Sequence, residues 1–195
     1  MSIQLTQVPQ DLHIHTIYSQ YDSAVVDEQT PELIARVHHA RILGISDHFE
    51  HFTDRFDEYK KRLQQLNLHA GTEVDGAAYV GEAIQLDFEY YIYHCRNQRS
   101  EYDAIDKLLA TGKPVIIAHP MALDTDLGKI PPECYIELNN RYIWRDDWKR
   151  KIGPYAQSFR FLIGSDAHQP LWLNQNVARY VASQLGIEET LLFEG

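Results

Sequence analysis

The chain has 195 residues, 44% of them hydrophobic and 24% charged, with a formal net charge of −10. That length suits one domain with a core of its own, and the acidic balance, with no run of Lys and Arg marking a basic patch, argues against a nucleic-acid partner. Cys95 and Cys134 have no CxxC spacing, which argues against a disulfide framework and for a reducing, cytoplasmic compartment. The opening Met1-Ser2-Ile3-Gln4 has neither the basic nor the apolar region of a signal peptide. No apolar run approaches the roughly 20 residues that span a bilayer.

In chain order, residues 8–14 read as a first strand. Thr30-Pro31-Glu32 then reads as an N-cap with Pro at the first helical position, and the helix runs to about Arg41 on the stripe Leu33, Ile34, Val37 and Ala40. Residues 42–46 form a second strand. Thr53 caps a helix carrying Phe56, Tyr59, Leu63 and Leu66, and residues 68–74 form the third strand. Residues 76–87 read as loop or short structure. A fourth strand covers 88–93, and a helix over 100–110 stops at Gly112. Strands at 114–118, 135–138 and 161–164 follow, with an irregular helix over 145–157 broken at Gly153-Pro154. A last helix spans 174–185, ahead of Gly186. The β-branched and aromatic content of the short runs favours strand.

Strands alternating with helices imply βαβ units and a mainly parallel sheet. The expectation is a single α/β domain over residues 1–195. Seven strands favour a closed or nearly closed TIM-like barrel, with an open doubly wound sheet as the alternative. In both, function gathers at the carboxyl ends of the strands.

Ten histidines are many for this length, and their positions matter more than their number. The runs end in Asp11-Leu12-His13-Ile14-His15, Ser46-Asp47-His48, Gly71-Thr72-Glu73-Val74-Asp75, Tyr93-His94, Ala118-His119-Pro120, Glu137-Leu138-Asn139 and Ser165-Asp166-Ala167-His168. Each places a histidine or carboxylate at or just past a strand end. Side chains two apart on a strand share a side, so His13 and His15 can grip one ion. Imidazole and carboxylate are ligands for zinc, manganese or iron. His38 and His39 read as surface or packing residues, His51 as part of a solvated loop or a neighbour of ligands, and His69 as structural. Tyr90, Tyr91 and Tyr93 read as core, and Asp47 and Asp75 as neighbours of ligands.

These motifs, in this order over about residues 10 to 170, resemble the polymerase and histidinol phosphatase (PHP) superfamily, with Asp-Leu-His-Ile-His-Thr the most specific. The resemblance implies a distorted (βα)7 barrel, two or three divalent metal ions and phosphoester hydrolysis through a metal-bridging hydroxide. By this resemblance His13, His15, Glu73 and Asp166 hold one metal. Glu73 bridges to a second, completed by His94 and His119, and His48 and His168 hold a third. Gln20 and Tyr21 stand where the third site's remaining ligand is expected. Asp22 is displaced by a residue or two, so this site uses Asp22, is weak or is empty. Glu73, Asp166 and His168 are the candidate catalytic groups, the last two managing protons at the leaving group. Arg96 and Arg141 are candidates for binding phosphate oxygens. The expected partner is a small phosphorylated molecule. Alternatives are an exonuclease-type phosphodiesterase, a C–N hydrolase (for which no strand-end lysine is present) and a non-catalytic metal-binding module.

Overall fold

The computed structural model describes residues 7–194, so the reading of Met1-Ser2-Ile3-Gln4 lies outside the described residues. The apolar runs form β1 (Val8–Asp11), β2 (Ala40–Ile45), β3 (His69–Val74), β4 (Tyr90–Tyr93), β5 (Val115–Ile117), β6 (Tyr135–Asn139) and β7 (Arg160–Gly164). They lie side by side in chain order as one seven-stranded sheet, and every adjacent pair is parallel. The ring nearly closes beyond the ends of β1 and β7. There Ile14 bridges Ala167, the His15 amide donates to the Ala167 carbonyl (2.9 Å), and the Asp166 amide donates to the His13 carbonyl (2.8 Å). The architecture is an α/β barrel of the (βα)7 type, not an open sheet.

β1 stops at Asp11, so His13 and His15 sit past the strand rather than on it, but their pairing with 166–167 keeps the chain extended. Helix α1 (Pro31–Val37) has the expected cap, the Thr30 hydroxyl accepting from the Leu33 amide. It ends earlier than expected because His38 turns left-handed (φ 48°), and Ala40, expected on the helix, opens β2. Thr53 begins a 3₁₀ turn, Thr53–Arg55, and caps nothing; α2 (Phe56–Gln65) follows. Residues 76–87, read as loop or short structure, contain the short helix α3 (Ala77–Ala83), which buries Val80 and Ala83. Seven residues give too little periodicity to see. α4 (Arg99–Leu109) buries Ala104, Ile105 and Leu108. α5 (Pro120–Leu123) and α6 (Trp148–Lys151) are single turns. A 3₁₀ turn at Gly153–Tyr155 follows the expected break. α7 (Asn176–Leu185) ends at left-handed Gly186. Among the described residues no helix is long and apolar enough to cross a membrane.

The core has two parts. The larger packs the outward side chains of the strands, such as Tyr91, Tyr93, Val115 and Ile117, against the helices. The smaller contains the alternate set, Leu12, Ile42, Tyr90, Ile92, Ile116, Ala118 and Leu162, which fills the barrel. Tyr90 is its centrepiece. Its hydroxyl donates toward the carbonyls of Leu12 (2.7 Å) and Ile45 (3.2 Å). Gly71 makes room for its ring, since a Cβ there would lie 2.2 Å from Tyr90 Cζ.

Candidate metal centre

Just above that apolar plug the barrel changes character. His13, His15, Glu73, His119, Asp166 and His168 are all buried, and His48 and His94 nearly so. Glu73 stands in the middle. Its Oε1 lies 2.6 Å from His94 Nε2, 3.2 Å from His119 Nε2 and 3.2 Å from His13 Nε2. Its Oε2 lies 3.3 Å from His15 Nε2 and 3.2 Å from His48 Nδ1. One carboxylate thus faces two histidine sets, one with each oxygen. Asp166 Oδ1 adds a second carboxylate 3.6 Å from His15 Nε2 and 3.8 Å from His13 Nε2.

Three groups of donor atoms are tight enough to hold an ion: His13 with His15 and Asp166, His13 with Glu73 and His119, and His15 with His48 and His168. Every ligand candidate read from the sequence except His94 belongs to one of them, and His94 Nε2 lies 3.0 Å from His119 Nε2. The second group draws in His13 and the third His15, both of which the resemblance gave to the first site alone. Asp22 reaches this group too: its Oδ2 is 2.9 Å from His168 Nε2 and 3.3 Å from His48 Nε2. Successive turns at Thr16–Ser19 and Ser19–Asp22 carry it there, whereas Tyr21 is exposed to solvent.

The hydrogen bonds around the ring fit a cation. His13 Nδ1 donates to Glu137 Oε1 (2.7 Å), and His94 Nδ1 to Asp75 Oδ1 (2.9 Å). In the neutral imidazoles this leaves the Nε2 lone pairs pointing inward. His13 Nε2 then faces His15 Nε2 at 3.1 Å, and His94 Nε2 faces both His119 Nε2 and the Glu73 carboxylate. His48 Nδ1 is buried and, although 3.2 Å from Glu73 Oε2, is not aligned to hydrogen-bond with it. Acceptors turned on acceptors in a buried space are reconciled by positive charge. Without a metal, protons must supply it. Burial pulls the His94 imidazole down, but Glu73 and Asp75 outweigh it and hold the group up to about 10. Burial likewise opposes His13, and Glu137, Glu73 and Asp166 raise it well above its usual value. His15, which faces burial together with His168 and His48, is pushed well below.

No protein-family model matches the chain, and no curated protein matches it either.

Supporting groups complete the site. Glu137, only one of several strand-end carboxylates in the sequence, is fully buried; besides His13 it accepts from the His119 amide (2.8 Å) and Asn139 Nδ2 (3.0 Å). Gly164 leaves it room, since a Cβ there would lie 2.2 Å from Glu137 Oε1. Asp47 ties Thr16 and Ser19 together, and burial outweighs those hydrogen bonds to push its carboxyl up to about 6. Asp75 orients His94 and pairs with Arg96. Backbone strain falls on two candidate ligands, His119 (φ 23°) and Asp166 (φ 53°).

The other histidines lie elsewhere. His39 pairs with Asp11, and His69 pairs with Glu89 and stacks on Phe193. His51, read as a solvated-loop residue or a neighbour of the ligands, is half-buried and packs 5.1 Å from the His48 ring, as the second reading has it. The cluster opens into a cavity of about 350 Å³, lined also by Arg96, Arg141 and Arg145. The sequence shows no basic run, yet these arginines from two separate connections share one mouth. Arg141 Nη1 lies 3.6 Å from Asp166 Oδ1 and 3.3 Å from His168 Nε2. Arg145 was not foreseen; its signal is its place four residues after Arg141 beyond β6.

Proposed function

We propose that the chain is a metal-dependent phosphoesterase of the PHP type acting on a small-molecule phosphate ester. The carrying observation is Glu73, whose Oε1 faces His13, His94 and His119 and whose Oε2 faces His15 and His48. His13, His15 and Asp166 would hold one ion beside Glu73, and His94 and His119 a second across it. His48, His168 and Asp22 would hold a third. Nitrogen and carboxylate donors of this kind suit zinc, manganese or iron. When bound, such ions supply water of lowered pKa and offset phosphate charge.

The chain's own residues do the rest. Glu137 and Asp75 fix the His13 and His94 rings through their Nδ1 protons. Arg141, beside Asp166 and His168, would fork onto phosphate oxygens, and Arg96, paired with Asp75, lines the same mouth. His168 Nδ1 donates to the Asp166 carbonyl (2.9 Å), which leaves the Nε2 lone pair facing Asp22 and free to help hold the third ion.

Reconstitution of chelated protein with manganese, zinc or iron tests the reading. Hydrolysis of p-nitrophenyl phosphate should return with at least one metal, and His15→Ala and Asp166→Ala should abolish it. No turnover of any phosphate ester with any of the three metals would overturn the reading.

A further inference from the structure

Arg141 and Arg145 line two cavities at once. One is the metal-centre mouth. The other, of about 420 Å³, lies beside it and is walled by Trp144, Trp172 and Asn174. The two arginines form the ridge between them.

These guanidinium groups are held in an unusual way. Arg145 has no carboxylate partner among the described residues; its neighbour Asp146 pairs with Lys151 instead (2.6 Å). It lies over the Tyr142 ring at 4.3 Å and beside Trp144 at 5.7 Å. Arg141 lies 5.1 Å from both the Tyr142 and Trp172 rings. Aromatic faces hold a guanidinium in place while leaving its N–H fork free. Trp144 itself is 63% exposed beside this pocket, an uncommon position for so large an apolar ring. Arg141 leans on Asp166, so the free fork is that of Arg145; in a protein of net charge −10, this fork and an open indole at the rim of the site call for an anionic ligand.

We infer that the side pocket is the leaving-group subsite. On this inference, which rests on the phosphoesterase reading, the substrate is a phosphate ester whose alcohol portion carries a flat ring and a second anionic group, either carboxylate or phosphate. The reacting phosphate sits at the histidine cluster, the ring lies against Trp144, and the second anion takes the Arg145 fork across the ridge. A charge-assisted pair of this kind is worth about tenfold or more in affinity.

The test uses metal-loaded full-length protein and non-hydrolysable probes: phenylphosphonate, 4-phosphonobenzoate and benzene-1,4-diphosphonate, titrated by calorimetry. The wild type should bind one or both doubly anionic probes about tenfold tighter than phenylphosphonate. Whichever gains more shows whether the second group is carboxylate or phosphate. Arg145→Ala should reduce that preference to about twofold or less, Arg145→Lys should restore part of it, and Trp144→Ala should weaken all three ring-bearing probes relative to methylphosphonate. Equal affinity of the wild type for all three aryl probes, or an undiminished preference in Arg145→Ala, would overturn the subsite. Its failure is separable from that of the activity, because p-nitrophenyl phosphate hydrolysis by the same preparation reports on the latter alone.

Discussion

Gly71 and Glu73 point to the same side of β3, two residues apart, yet they meet opposite surroundings. Gly71 is pressed against the Tyr90 ring in an apolar plug whose polar atoms find partners within the chain. Glu73 is ringed by histidines whose inward nitrogens face one another. The lower half of the barrel is complete as it stands, and the upper half is complete only with added positive charge. The difference separates what the barrel needs for folding from what it holds for chemistry: the plug trades on shape and burial, the rim on unsatisfied donor atoms.

The largest effect should separate the carboxylate inside the ring from the one behind it. Glu137→Gln should cost roughly 10–100-fold in metal affinity, the usual effect of losing a group that orients a ligand. Glu73→Gln should exceed that range in both metal content and hydrolysis. If the two variants behave alike, Glu73 has no bridging place. Gly71→Ala should destabilise the protein by about 1–3 kcal/mol in denaturant melts through overpacking against Tyr90, while metal stoichiometry stays at the wild-type value. Loss of metal in that variant would show that the halves are not independent.

A smaller effect follows from His94. Its folded value of about 10 lies above the ordinary 6.5, so the proton it holds stabilises the metal-free fold fully below pH 6.5. That contribution is lost as pH rises toward 10. Chelated protein should therefore melt at progressively lower temperature across this window, and metal-loaded protein should show a shallower slope because the cation takes the proton's place. Parallel slopes would remove His94 from the ring.

Much of the rim was legible because strand ends are legible. An apolar run stopping at a histidine or carboxylate, repeated along the chain, places those side chains on one edge of a parallel barrel whatever the details of the helices. What stayed hidden depends on packing across the barrel. Glu137 looks like any strand-end carboxylate until His13, past the end of β1 on the far side of β7, is seen donating to it. Asp22 is one or two residues out of register in sequence, and only two consecutive turns bring it to His48 and His168. Helix α3 is legible only as loop or short structure because seven residues carry little periodicity, and Ala40 fits a helical stripe and a buried strand equally well until His38 breaks the helix. Of the arginines at the mouth, Arg96 and Arg141 are legible from their places just past strand ends, and only Arg145, four residues further on, is not.

The central claim is that the upper barrel is a multinuclear metal centre. Elemental analysis of protein stripped and then reconstituted with manganese, zinc or iron tests it most directly. The account predicts about two or more equivalents per chain with at least one of these metals, falling sharply in Glu73→Gln. Less than about one equivalent with all three would contradict it.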